Sequence, residues 1–117
     1  MEDIKGYIRY QVDMHFTSTG KAVSNFTLYD TEYGDFTWKL RVTTWEDLAE
    51  ACNRELSEGT KVMCRGTRKT SYWTDKETGE MKSVPQFTAN RVWELDGTEN
   101  EMMTAIEITI DNPRHVQ

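Results

Sequence analysis

Apolar side chains alternate with polar ones along most of this chain and follow a helical period once. From residue 4 the set Ile4, Gly6, Ile8, Tyr10, Val12 and Met14 takes the even positions, with Lys5, Tyr7, Arg9, Gln11 and Asp13 between them. That two-residue period predicts a half-buried strand. "FTSTGKA" turns the chain at Gly20, and "KAVSNFTLY", residues 21–29, predicts a second strand. After the break "DTEYGD", residues 36–45 ("FTWKLRVTTW") predict a third. In "TTWEDLAEACNRELSEG" the period changes: Leu48, Cys52 and Leu56 recur every four residues with Ala49 beside them, predicting a helix of about three turns. Thr43 or Thr44 is placed to cap its start, with Glu46 or Asp47 as capping-box partner, and Gly59 suits the residue after its end. Residues 60–73 return to a strand, with "DKETGE" as the tip of a long hairpin. The returning run, 84–95, sets Phe87, Ala89, Trp93 and Leu95 on one side, which places Trp93 in the core. Ile106, Ile108 and Ile110 predict one more strand within 104–111.

Three strands, a helix, two strands and a terminal strand make an all-β fold with one helix. A five-stranded Greek-key barrel with its helix between strands three and four is the OB-fold arrangement. With 117 residues the chain fits one such domain. The expected division is a barrel over 1–97, with the long hairpin of strands four and five, and a C-terminal extension over 98–117 carrying the extra strand.

The local wording is more specific. "STGKAVSNFTL", then "WEDLAEACNRELSEGTKVMCRGTRKTSYWTDKETGEMKS", resembles the bacterial and phage single-stranded DNA-binding protein family over roughly residues 4–95. In that family a strand G-x-A-V-x-N-F-x-L is followed by L-A-E at the end of strand three. L-x-x-G-x-x-V-x-x-x-G and W-T-D-x-x-G in the hairpin come next. The resemblance implies an OB-fold that binds and protects single-stranded DNA in replication, recombination or repair, and a homotetramer, or at least a dimer.

A sequence-tolerant binder of single strands needs flat aromatic faces for bases and cations spaced along a groove for phosphates. Trp73 matches the family's base-stacking tryptophan of the hairpin, and Trp45 its stacking aromatic at the end of strand three. Each has an ordinary alternative, since an indole can pack on its own loop and an aromatic beside a helix start can act as a hydrophobic staple. Tyr72 beside Trp73 is a further stacking candidate. Trp38 departs from the family. Seven residues separate it from Trp45, so on a regular strand the two face opposite ways and Trp38 joins Leu40 and Val42 inside. A bulge would reverse this, so Trp38 stays among the stacking candidates. Tyr29, Tyr33 and Phe36, around the short second loop, could each supply the missing ring.

The net charge of −6 argues against a polyanionic partner until its distribution is considered. Residues 61–73 hold Lys61, Arg65, Arg68 and Lys69 with no acid, and 36–45 add Lys39 and Arg41. The acids gather in the helix segment and in 94–111. Local neutralisation governs phosphate binding, so the expected phosphate contacts are Arg41 and Lys69, which match basic family positions, then Lys39, Arg65 and Arg68. His15 and His115 lie at opposite ends with no nucleophile nearby, and no phosphate-cradling glycine motif is present. We therefore expect no catalytic residues, no metal and no cofactor. Cys52 and Cys64 read as reduced core thiols. No secretory leader or membrane span is visible, so the expectation is a cytoplasmic protein, nucleoid-associated, or in the host cytoplasm if phage-encoded. The chain stops at "DNPRHVQ" without the flexible linker and acidic tip of typical family members. Recruitment of replication or recombination proteins by such a tip is not expected. An OB-fold adaptor acting through protein contacts, and a single-stranded RNA binder, remain the alternatives.

Overall fold

A computed structural model describes residues 1–29, 40–95 and 105–111. The strands are β1 (Glu2–Phe16), β2 (Ala22–Tyr29), β3 (Leu40–Trp45), β4 (Lys61–Thr74), β5 (Met81–Leu95) and β6 (Ile106–Glu107), with helix α1 (Glu46–Glu55) between β3 and β4. They form one sheet in the order β3-β2-β1-β4-β5-β6, closed into a barrel by a parallel pairing of β3 with β5. This is the OB-fold topology. Ile8, Leu28, Val42, Val62, Phe87 and Val92, each fully buried, fill the interior, and Ala51, Cys52 and Leu56 of the α1 segment join the same core cluster. β6 is a short strand paired to Trp93 and Glu94, and the next residue, Ile108, enters the core.

Two bulges revise the alternation read from sequence. On β1, Arg9 pairs with Thr27 and Asp13 with Asn25, so two extra residues are accommodated between them. Ile4, Gly6, Ile8 and Val12 stay inside as expected, but Tyr10, at φ 70, is turned out. Holding a tyrosine there costs on the order of 1–3 kcal/mol. On β5, Arg91 pairs with Arg65 and Ala89 with Gly66, passing over Asn90. The extra residue shifts the phase, so Phe87 and Ala89 are followed inward by Val92 rather than Trp93. Trp93 is therefore not a core residue. It is half-buried on the outer surface, with the Arg65 and Arg91 guanidinium carbons 5.1 and 4.7 Å from its ring.

The helix start differs from the capping box read from sequence. Trp45 holds the N-cap position without a side-chain cap, and the Thr44 hydroxyl is instead hydrogen-bonded to that of Ser24 in the interior. Gly59 lies beyond the helix end, at φ 90, where its N–H donates to the Ile8 carbonyl at 2.7 Å and ties the post-helix turn to β1. Burial pushes the Cys52 thiol up to about 12 and Cys64 well above its usual value. Neither thiol should react with a thiol reagent at neutral pH until the protein is unfolded, and native-state labelling within minutes would contradict this burial.

Candidate nucleic-acid interface

β3 alternates as its sequence requires, sending Leu40, Val42 and Thr44 inward and Arg41, Thr43 and Trp45 outward. β4 turns Thr67, Lys69, Ser71 and Trp73 to the same outer face, because the registers connect them. Arg41 pairs with Gln86 of β5, and Gln86 pairs in turn with Lys69. Arg41 also pairs with Thr27, and Thr27 with Arg9. Side chains directly opposite one another share a face, so Arg9, Thr27, Arg41, Gln86 and Lys69 form one row across all five barrel strands. Arg9, Arg41 and Lys69 are exposed in it. Ser71 donates to Gln86 Oε1 at 2.8 Å, which orients the amide between Arg41 and Lys69.

The two indoles lie on opposite sides of this row. β3 runs parallel to β5 and β4 antiparallel to it, so Arg41 to Trp45 and Lys69 to Trp73 lead in opposite directions. Each is a four-residue step of about 13 Å along its strand. Trp45 is 44% exposed and Trp73 47%. Trp73 lies across the hairpin from Lys82, whose ammonium is 2.8 Å from Asp75 Oδ2. That carboxylate, held below its usual range first by Lys82, also accepts from the Glu77 N–H at 2.8 Å through Oδ1, which knits the hairpin tip together. Carboxylates also border the face: Asp13 lines a groove with Arg41, and Glu46 and Asp47 follow Trp45 in the first turn of α1, where they suit the helix dipole.

Other candidates are placed differently. Tyr72 is 69% exposed but stands on the opposite face of the hairpin from Trp73, as adjacent strand residues must. Arg65 shares the outer face with Lys69 yet is bound to Asp3, with nitrogen–oxygen distances of 2.8 and 3.2 Å. This pairing holds the Asp3 carboxyl low. Arg68 lies 3.2 Å from a Glu2 carboxylate oxygen, on the other face of β4. Part of the basic run counted along β4 is thus paired within the fold. Trp38, Lys39, Tyr33 and Phe36 lie outside the described residues.

Sequence reasoning offered Tyr29 as a ring and counted Lys61 in the basic run, but missed Tyr7, Arg9 and Tyr10 beside them on the β1–β2 surface. Tyr7 and Tyr29 are directly paired, their ring centroids 5.7 Å apart, and Lys61 Nζ sits 5.7 Å from the Tyr7 centroid. Arg9 lies 5.3 Å from the Tyr10 ring and 5.9 Å from that of Tyr29. A signal was present in the alternation itself, since Tyr7 and Arg9 occupy the outward positions of the first strand. Tyr10 could not be found in this way, because only the bulge turns it out.

The sequence profile of the Single-strand binding protein family matches residues 4–95. The chain belongs to that family. Among curated members, the single-stranded DNA-binding protein 1 of Chlorobaculum tepidum is 31% identical over 90 residues, covering 70% of this chain and 56% of that protein. The single-stranded DNA-binding protein of Mycobacterium leprae is 30% identical over 101 residues, covering 76% of this chain and 58% of that one. The crystal structure of the wild-type single-stranded DNA-binding protein from Thermus aquaticus superposes with a TM-score of 0.61 at 25% identity, over 81% of this chain and 49% of that one. This family member therefore spans little more than half the length of the curated relatives it matches.

Proposed function

We propose that this family member binds single-stranded DNA with little sequence preference, protecting it during replication, recombination or repair. The observation that carries the reading is the common outer face of Trp45, Arg41, Lys69 and Trp73, with solvent-exposed indoles on both sides of a cationic row. Bases stack on the indoles while phosphates follow Arg41 and Lys69. Lys39 is kept as a further phosphate contact. Trp38 is retained as a further stacking residue, and Tyr72 engages bases that pass to the other side of the hairpin. Arg65 and Arg68 contribute phosphate contacts only in competition with the carboxylate already bound to each. Stacking and phosphate contact require no catalytic group, so the protein acts as a binder rather than an enzyme, without cofactor or metal.

In this reading residues 1–97 form the binding domain, 98–117 an extension, and the protein works as a homotetramer in the cytoplasm. Assembly places several such faces on one strand, raising avidity without new contacts. Light scattering giving a monomer mass would overturn the tetramer.

Fluorescence titration with dT oligomers of increasing length at several salt concentrations tests the binding itself. Tryptophan emission should be quenched, and the logarithm of the affinity should fall linearly with the logarithm of salt, with a slope of about −0.7 for each phosphate contact a protomer makes, of which Arg41 and Lys69 together supply about −1.4. Binding that is indifferent to salt would remove the role given to Arg41 and Lys69. Competition with a matched RNA oligomer then tests the preference for DNA.

A further inference from the structure

The cationic row does not end at Arg41. It continues through Thr27 to Arg9 on β1, where a groove of about 300 Å³ opens between Ile8, Arg9, Tyr10, Tyr29, Glu58 and Gly59. A second groove of about 170 Å³ is bounded by Tyr10 on one side and Arg41 on the other. Tyr10 lines both, so the two grooves adjoin one another on the surface between Arg41 and Arg9.

We infer that Arg9, Tyr10 and Tyr29 form an additional nucleotide subsite, taking one base of the single strand after its backbone has passed Arg41. The inference rests on the binding reading above and extends it to a part of the barrel that neither tryptophan reaches. Three observations carry it. The register puts Arg9 in line with Arg41 and Lys69, on the same face. Two phenol rings flank its guanidinium, and Tyr10 is 50% exposed. Tyr10 also takes an unfavourable positive φ that sends it outward, where regular alternation would have buried it. An outlier maintained at the lip of a cationic groove has the character of a functional position. Glu58 on the first groove and Asp13 on the second repel phosphate. The base therefore enters the groove against the tyrosines, while its phosphate stays at Arg9.

The test uses the full chain and long dT oligomers, comparing Tyr10→Gly and Arg9→Gln with wild type and with Trp73→Ala. Glycine accepts a positive φ, so Tyr10→Gly should fold at least as well as wild type. It should bind dT roughly 5-fold more weakly or worse, the loss of one stacked base. Arg9→Gln should make the salt slope shallower by about 0.7, the share of one single-strand phosphate contact. Ultraviolet crosslinking of an iodouracil oligomer should give adducts at Tyr10 or Tyr29. If both variants keep wild-type affinity and slope while Trp73→Ala loses binding, the subsite is refuted and the function stands. If either variant changes the molar mass in light scattering and leaves affinity per protomer intact, the patch is a subunit contact and the inference fails. Wild type that ignores dT altogether would remove both readings.

Discussion

Replacing Trp45 and Trp73 together by alanine is expected to weaken binding to a long dT oligomer by at least about 30-fold, with the melting temperature close to wild type. Each base stacked on an aromatic ring contributes about 1–3 kcal/mol, so each single change should cost roughly 5- to 150-fold. The rings stand on opposite sides of the Arg41–Gln86–Lys69 row, about 26 Å apart along the strands, and share no partner, so their losses should add. Stability should change little because both indoles are already about half open to solvent and their removal leaves no closed cavity. The remaining emission also carries information. Trp93 has a guanidinium over its ring from Arg65 and another from Arg91, which leaves little face for a base. Quenching that survives in the double variant would then report Trp38. A double variant that binds dT like wild type would defeat the stacking assignment outright.

Gly66→Ala is expected to damage the fold far more than the same change at Gly20, Gly59 or Gly79. A Cβ at Gly66 would lie 1.9 Å from the Thr88 carbonyl oxygen and 2.8 Å from the Ala89 Cα, both backbone atoms. No side chain can swing aside to make room. β4 and β5 would have to part where Asn90 is bulged, and that is also where the phase of β5 is set. The cost should reach about 3 kcal/mol or more, the upper range for overpacking. For a domain of this size that corresponds to a fall in melting temperature of roughly 10 °C. Gly20→Ala is the contrasting case. It has open space around it and only a positive φ of 86 to resist the change, so it should cost about 1 kcal/mol. Thermal unfolding of the two variants separates a steric clash from backbone strain. An unchanged melting temperature for Gly66→Ala would mean the strands do not approach so closely.

Most of the fold was legible because the alternation is strong and the punctuation clear. The inward Ile4, Gly6, Ile8 and Val12 of β1, the inward Leu40 and Val42, the hairpin tip at 75–80 and the four-residue helical period all appear in the structure where the pattern puts them. The capping box was misread because Thr44, which local chemistry offers to the helix, is engaged by Ser24 across the β2–β3 pairing. Trp93 was misread because the alternation was carried through Asn90 unbroken. No residue type marks a bulge of that kind, and the near neighbour that accompanies it, Gly66, lies on another strand.

The amino-acid sequence by itself determined the order of the elements, the family, and the outward direction of Arg41 and Trp45, since all of these follow from local period and motif. Tertiary structure alone decided which side chains meet. Pairing registers between strands far apart in sequence bring Arg9, Arg41 and Lys69 into one row, and long-range ion pairs give Arg65 to Asp3 and Arg68 to Glu2. The physical reason is that a strand's period states which face a residue occupies but not which residue of another strand lies beside it. That second choice belongs to barrel closure and to the bulges that adjust it.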